Sequence, residues 1–418
     1  MTRLVDVADF ASGGTPSKTR SEYWNGTIPW LTPKDMADWE GKTTDYVTTQ
    51  AIGNGTRIVP AGSVFIAVRG MSLHTEIRVI FADDALAFNQ DIKALLPKKG
   101  TDGRFVYYAL SAHKEALLAL VESAGHGTGR LPTDQLEAVE IPDFSCEEQR
   151  QIIELLGALD DKIDLNRRTN ETLEAMARAL FRDWFVDFGP TRAKMAGQTP
   201  YLAPEIWELF PDRLDDEGKP EGWEREPLDE TATFLNGLAL QKYPANGGAY
   251  LPAIKIAQLR SENTEAADPV SPDIPPDYIV EQNDLLFSWS GSLLCKFWNG
   301  PRGALNQHLF KVTSKRFSSW FIYECIQYYM PEFQAIAAAK ATTMGHIQRR
   351  HLAESLVIVP HSKTMQATNA VIGNLHTQIQ SNNGESQTLT QLRDLLLPKL
   401  MSGEIRIRDA EKMVEQAL

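Results

Sequence analysis

The feature that most constrains this chain is a long amphipathic seam that occurs twice. Side chains spaced four and three apart run Ile152, Leu156, Leu159, Ile163, Asn166, Asn170, Leu173, Ala177, Leu180 and Trp184. This is a heptad pattern held for more than four repeats. A shift of 216 residues gives Thr368, Ile372, Leu375, Ile379, Asn382, Ser386, Leu389, Arg393, Leu396 and Leu400. The seam recurs, with a polar pair at its centre in both copies. Val139-Glu140-Ile141-Pro142 leads into the first copy and Val357-Ile358-Val359-Pro360 into the second. Further upstream, Phe88-Asn89-Gln90 matches Leu305-Asn306-Gln307, and Gly129-Arg130-Leu131 matches Gly345-His346-Ile347. The chain therefore reads as a duplication: globular unit, long helix, globular unit, long helix.

One small domain cannot bury a seam of this length, so each helix needs a partner, and the other copy supplies it. The first helix carries the chain into the second unit, and the second must run back to pair with it. The expected pair is antiparallel with pseudo-two-fold symmetry, which sets Asn166 near Ser386 and Asn170 near Asn382. Polar residues inside a seam lower stability and fix register. A helix over 147–188 would be roughly 60 Å long. Gly384, in Asn382-Asn383-Gly384-Glu385, is where a kink or break in the second helix is expected.

A length of 418 residues implies two or three domains. The fold class expected is α+β, with two α/β units joined by the long antiparallel helices. Residues 63–68 and 284–289 read as strands, and 105–121 and 320–330 as helices. The boundaries follow: a first unit over 1–145, a helix over 146–188, a Pro-, Gly- and acid-rich linker over 189–222, a second unit over 223–361, and a helix with its tail over 362–418.

The net charge of −13 argues against indiscriminate polyanion binding. The acid is concentrated in 146–226, which alone carries a net charge of −8. Three windows lack acid altogether: 46–75, 286–322 and 333–353. They hold Arg57 and Arg69; Lys296, Arg302, Lys311, Lys315 and Arg316; and Lys340, His346, Arg349, Arg350 and His351. These windows mark candidate phosphate-facing surface. No apolar run approaches the ~18 residues of a membrane helix. The first residues hold acid where a signal peptide needs an apolar block. Cys146, Cys295 and Cys325 are too few for a disulfide framework or a zinc site. A cytoplasmic protein without structural metal is expected.

No catalytic constellation emerges. Pro211-Asp212 with Glu217-Gly218-Lys219 imitates a nuclease site, but four intervening residues cannot place the acids on neighbouring strands. Ile274-Pro275-Pro276-Asp277-Tyr278 lacks the residue that an adenine methyltransferase motif carries before its prolines. The Gly-rich run Gly125-His126-Gly127-Thr128-Gly129 has no P-loop lysine after it. A binding or scaffold role therefore leads over an enzyme.

Three blocks resemble the specificity subunits of type I restriction–modification enzymes. Gly13-Gly14-Thr15-Pro16-Ser17, with Tyr23-Trp24 and Ile28-Pro29-Trp30, resembles the opening of that family's target recognition domain. Glu148-Gln149-Arg150-Gln151-Ile152-Ile153 through Leu180-Phe181-Arg182-Asp183-Trp184-Phe185-Val186-Asp187-Phe188 resembles its central helix. The run from Leu392-Arg393-Asp394 through Leu397-Pro398-Lys399-Leu400-Met401-Ser402-Gly403-Glu404-Ile405 resembles its distal helix. Pro220-Glu221-Gly222-Trp223 resembles the entry to a second recognition domain, although Phe234-Leu235-Asn236-Gly237-Leu238 lacks the Gly-Gly-Thr-Pro-Ser form.

The resemblance implies a non-catalytic subunit in which each globular unit reads half of a bipartite double-stranded DNA target. It also implies docking of two modification (adenine methyltransferase) subunits, and of restriction subunits that cleave. No cofactor would belong to this chain; S-adenosylmethionine, ATP and Mg would serve the partners. For DNA contact the candidates are Lys18, Lys34, Arg69, His126 and Arg130 in the first unit, and Lys296, Arg302, His346, Arg349 and Arg350 in the second. Arg178, Arg182 and Phe185 are the candidates for a partner surface. Asn166, Asn170, Asn382 and Ser386 are the candidates for helix register. The competing expectation is a coiled-coil adaptor that binds proteins without DNA specificity.

Overall fold

The computed structural model describes residues 1–37, 39–123, 127–339 and 345–417. The chain divides into two compact units, Met1–Ile163 with Thr388–Leu418, and Asp164–Gln387. The architecture is mixed α/β with long helices. Among the described residues, no helix is long and apolar enough to cross a membrane.

The first unit is built on two four-stranded sheets. One is antiparallel, in the order Ala8–Ser12, Ile92–Pro97, Val64–Ala67, Val79–Phe81. All four residues of Val64–Ala67 are fully buried, which is why this strand reads as an unbroken apolar run. The other sheet runs Asp45–Val47, Trp24–Leu31, Leu86–Phe88, Ile58–Val59, and its two central strands are parallel. The helix Gly103–Ala112 is capped by Asp102, whose carboxylate accepts the Arg104 N–H at 2.8 Å. Its Phe105, Val106, Ala109 and Leu110 enter the core.

The second unit repeats this order. Thr233–Asn236, Leu309–Thr313, Leu285–Ser288 and Cys295–Phe297 form one antiparallel sheet. Pro269–Val270, Leu251–Ile254, Gly303–Leu305 and Ile279–Val280 form the other, again with a parallel central pair. Leu31 pairs with Phe88 where Ile254 pairs with Leu305. The duplication thus covers whole globular units, including stretches where insertions destroy the constant offset.

The first long helix, Cys146–Phe181, opens on a capping box. The Glu148 carboxylate accepts the Ser145 N–H at 2.9 Å, and the Glu148 N–H donates to the Ser145 hydroxyl at 3.3 Å. The α-helix ends at Phe181, earlier than expected, in a π-helical turn over Arg182–Val186 followed by Phe188 at φ 56°. The second helix begins as Ser362–Thr368, passes a π-helical turn at Asn369–Gly373, and continues as Asn374–Met401. It runs unbroken through Gly384, so the irregularity lies earlier than expected. A glycine costs a helix about 1 kcal/mol. The cross-helix bonds of neighbouring Asn382 and Asn383 oppose that cost.

In the first unit, Ile152, Leu156 and Leu159 share a core with Leu389, Leu396 and Leu400. In the second unit the polar centre of the seam is satisfied across the helices. The Asn166 amide donates to Glu385 at 2.7 Å and to the Ser386 hydroxyl at 3.2 Å. Asn382 donates to Asn170 at 2.8 Å, and Asn170 to Asn383 at 2.7 Å. Rising numbers on one helix meet falling numbers on the other, so the strands of this seam are antiparallel.

Each unit also fastens its globular helix to a long helix through polar contacts, among them one at an equivalent place in both copies. In the first, the Tyr108 hydroxyl donates to Asp160 at 2.7 Å, and Arg393 pairs with Asp160 at 2.9 Å. Burial, reinforced by the Asp160 charge, pushes the Tyr108 phenol far above its ordinary value, so it stays a donor. The residues 216 further on are Glu324 and His376, which lie 3.0 Å apart at 2% and 4% exposure.

The segment expected to be a linker, 189–222, is instead folded. It forms the helices Gly189–Met195 and Pro204–Trp207. Phe210 joins the aromatic core of the second unit beside Trp184 and Trp223. Lys194 donates to the Phe210 carbonyl at 2.6 Å. A few aromatic anchors within an acidic, Pro-rich stretch suffice to hold it down.

The buried pair gives a stability prediction. His376→Ala leaves the Glu324 carboxylate buried with both oxygens unpaired, since Oε2 has no partner already. The expected loss is about 3 kcal/mol, and Glu324→Gln should cost clearly less. Urea unfolding midpoints of the two variants decide it; equal, small shifts would contradict the assignment.

Candidate nucleic-acid interface

In the first unit the short strand Arg69–Gly70 pairs with Gly129–Arg130, which pairs in turn with Glu122–Ser123. Arg130 stands directly opposite Arg69 on one side and Glu122 on the other. Among the described residues, neither Arg69 nor Arg130 is in an ion pair. Like charges directly opposed on a sheet face destabilise it. Glu122 opposite Arg130 offsets part of this repulsion, while among the described residues Arg69 has no acid paired across from it in this sheet, and an anionic or acceptor-rich ligand would engage both guanidinium groups. The rung is held rigidly. The Leu131 N–H donates to the Val68 carbonyl at 2.9 Å, and the Val68 N–H to the Asp91 carbonyl at 2.8 Å. His74 Nε2 lies 2.8 Å from the Gly127 carbonyl and ties the adjoining loops together.

The Gly-Gly-Thr-Pro-Ser loop lies against Phe88-Asn89-Gln90. The Gly14 N–H donates to the Phe88 carbonyl at 2.9 Å, and the Thr15 hydroxyl to Gln90 at 2.6 Å. The indole N–H groups of Trp30 and Trp24 donate to the carbonyls of Gly14 and Ser17, both at 3.1 Å. A Cβ at position 13 would lie 2.3 Å from the Asn89 carbonyl oxygen, so only glycine fits. At Gly237 the same test gives 2.2 Å to the Asn306 carbonyl oxygen, and the Leu238 N–H donates to Leu305 at 2.9 Å. The second unit keeps the glycine that this approach demands and drops the rest of the motif. Lys18 is exposed just after the first of these loops. Lys34 is exposed on the turn Thr32–Asp35. Burial works against the Asp35 carboxylate, but hydrogen bonds from Thr32 and Thr44 prevail and hold it below its ordinary range.

In the second unit the equivalent rung is Ser290 opposite His346. The Gly291 N–H donates to Gly345 at 2.8 Å, and the Ile347 N–H to Trp289 at 3.0 Å. The Ser290 hydroxyl lies 2.9 Å from His308 Nδ1. The Trp289 ring sits 6.0 Å from His308, 6.3 Å from His346 and 6.1 Å from Phe310. Arg349 covers Phe310 at 5.6 Å and donates to the Phe234 carbonyl at 2.9 Å. Arg350 is exposed nearby in sequence. A cavity of about 500 Å³ lies against Gln307 and His308, with Gln241 and Lys255 also in its wall.

The structure thus brings together Arg69 with Arg130, and His346 with Arg349 through Trp289 and Phe310. Two other candidates are already neutralised: Lys296 pairs with Glu262 at 2.8 Å, and Arg302 with Glu281 at 3.1 Å. His126 lies outside the described residues. Arg178 and Arg182 are exposed on and just beyond the first long helix, and Arg182 pairs with Asp187 at 3.1 Å. Phe185, expected on a partner surface, is only 3% exposed. It packs against Phe181, Trp223 and Phe321, because the π-helical turn rotates it into the core. Asp91, Trp289, Ser290 and His308 were not expected in the site. The signal for two of them was one residue beyond the Asn-Gln match at 89–90 and 306–307. Among the described residues, no group of His, Cys, Asp and Glu could hold a metal ion.

Residues 1–175 match the family model for the type I restriction modification DNA specificity domain. Over 97% of its length the chain is 28% identical to the type I restriction enzyme MjaIX specificity subunit of Methanocaldococcus jannaschii, covering 93% of that protein. The chain is thus similar over nearly its whole length to a type I restriction–modification specificity subunit. It is also 30% identical to the EcoR124I/EcoR124II specificity subunit of Escherichia coli over 42% of this chain and 43% of that one. The crystal structure of the S subunit from M. genitalium superposes with a TM-score of 0.53 at 15% identity, covering 96% of this chain and 95% of that one. That likeness is one of fold.

If Arg69 serves a ligand and not the fold, Arg69→Ala should leave stability unchanged or raise it by up to about 0.5 kcal/mol. Arg393→Ala, which strips Asp160 of its charge partner, should cost several times more. Thermal melting of both variants against the parent checks this, and a large loss in Arg69→Ala would mark it as structural.

Proposed function

We propose that this chain is a specificity subunit that reads a bipartite double-stranded DNA target, one half with each globular unit. The observation that carries this reading is the repeated rung: Arg69 opposite Arg130 in one unit, Ser290 opposite His346 in the other. One scaffold holds two different sets of side chains at the same register. That is what a chain needs if it must recognise two different half-sites with one fold. Exposed cations, among them Lys18, Lys34 and Arg350, would contact phosphates and set position, while groups on the rung reach base edges.

In this reading the antiparallel seam holds the half-sites at fixed separation. Half-sites addressed from one side of a duplex lie about one turn, roughly 34 Å, apart. Asn166, Asn170, Asn382 and Ser386 set the register, because a slip leaves their amides and hydroxyl buried without partners. Two modification subunits, which use S-adenosylmethionine, dock on the helices, with Arg178 and Arg182 among the exposed groups available to them. Restriction subunits, which use ATP and Mg, complete the assembly. This chain contributes recognition and no catalytic group.

The test is methylation mapping. The chain is expressed with its modification subunit in a host free of N6-methyladenine, and the modified adenines are located by sequencing. A two-part motif with a constant unread spacer is expected, and exchange of residues 1–145 should alter one half. A formed complex that shows no salt-dependent DNA affinity would favour a protein-binding adaptor instead. The register argument has its own variant. Replacement of Asn166 and Asn170 by Leu should keep or raise helix stability and broaden the spacer, and an unchanged spacer would refute it.

A further inference from the structure

A chain that contains two copies of one fold can be compared with itself, position by position. Around the rung, scaffold positions keep their residue type: Asn89 and Asn306, Gln90 and Gln307, Gly129 and Gly345, Leu131 and Ile347. Four positions do not: Trp289 stands where the first unit has Val68, and three others carry polar side chains in both copies. Arg69 is matched by Ser290, Arg130 by His346, and Asp91 by His308. Backbone hydrogen bonds fix the match independently of any sequence offset. The Val68 N–H donates to the Asp91 carbonyl at 2.8 Å, where the Trp289 N–H donates to the His308 carbonyl at 3.4 Å. The Leu131 N–H donates to Val68 where the Ile347 N–H donates to Trp289.

The three positions also converge in space. In the second unit the Ser290 hydroxyl touches His308 Nδ1 at 2.9 Å, and both histidines flank Trp289. In the first unit Arg69 and Arg130 share one rung, and the Asp91 carbonyl accepts the Arg69 N–H at 3.3 Å. Asp91 Oδ2 receives only long contacts, from Asn89 at 3.4 Å and Gln90 at 3.3 Å. Packing leaves the first set free, since Arg69 and Arg130 are exposed, whereas Ser290 is buried at 3% beside Trp289 and the two histidines are half-buried.

We propose that positions 69, 91 and 130, and in the second unit 308 and 346, are base-reading positions, with buried Ser290 holding His308 in place, and that the first set reads a G·C pair. The inference rests on the DNA-target reading above. Guanine presents two acceptors, N7 and O6, in the major groove, and a guanidinium meets both with parallel N–H donors. The cytosine amino group is a donor that a carboxylate accepts, which assigns Asp91 its role beside the arginines. The second set has neither guanidinium nor carboxylate. A hydroxyl and two imidazoles beside an indole face cannot make the bidentate contact to guanine, so the second half-site is read by other chemistry.

The experiment uses the full chain with its modification subunit and the methylation map as readout. The triple variant R69S/D91H/R130H transplants the second set into the first unit. It should change the motif at a G·C position of one half only, with the other half and the spacer intact. The single variant R69K keeps the charge but loses the planar fork. It should retain overall methylation while preference for that G·C pair falls about ten- to a hundredfold. An intact bipartite parent motif that neither variant alters overturns this proposal alone. So does a first half-site without a G·C pair, or a change in both halves. A parent motif without two halves overturns the underlying reading, and this one with it.

Discussion

Two long helices that must cover each other's apolar edge are the constraint on which the rest of this protein depends. Neither helix could hold its seam against water alone, and the seam is not uniform. Its centre is polar, and the polar groups find partners in one register only. A slip of one heptad would set Asn170 against Leu375 or Leu389, and Asn166 against Ile379 or Arg393. An amide left buried without a partner costs about 1–3 kcal/mol. Several such groups in one stretch outweigh the small differences among apolar registers. Leucines supply adhesion, and asparagines supply the choice of alignment.

The same logic fastens each globular helix to a long helix, with the chemistry reversed between the copies. In the first unit the acid, Asp160, sits on the long helix and receives Tyr108 and Arg393. In the second the acid, Glu324, sits on the globular helix and faces His376 on the long one. The duplicated fold has kept a place for a polar bridge while exchanging which side carries the charge. A buried ion pair contributes little net stability over an apolar contact of the same shape. Its effect is directional, because it admits one rotation of the globular helix against the seam. That explains retention of the place without retention of the residues.

Much of this was legible in the sequence, because duplication supplies an internal comparison. The offset of 216 placed Asn166 opposite Ser386 before any geometry was known, since heptad spacing and antiparallel return leave little freedom. The same offset joins Tyr108 to Glu324 and Asp160 to His376, yet the pairs are invisible there. Tyrosine does not resemble glutamate, nor aspartate histidine, and only their contacts reveal a shared role. Gly237 was hidden for the opposite reason: its motif had decayed around the one residue that backbone approach protects. Phe185 misled because a regular helix would leave it at the flank, and the π-helical turn over Arg182–Val186 turns it inward. The packed 189–222 segment misled because its composition is that of a linker, while Trp207 and Phe210 decide its fate.

Charge placement links fold to recognition. A chain of net charge −13 has no general attraction for a polyanion, and the structure removes part of what cation clusters suggest. Lys296 and Arg302 stand in basic sequence windows but are cancelled by Glu262 and Glu281, which sequence distance concealed. Arg69 and Arg130 instead face each other across a rung, in no ion pair among the described residues, with Glu122 opposite Arg130 on its other side. Part of the cationic surface is thus spent within the protein. Under the proposed function, such a subunit would discriminate sequence well while holding DNA weakly by itself.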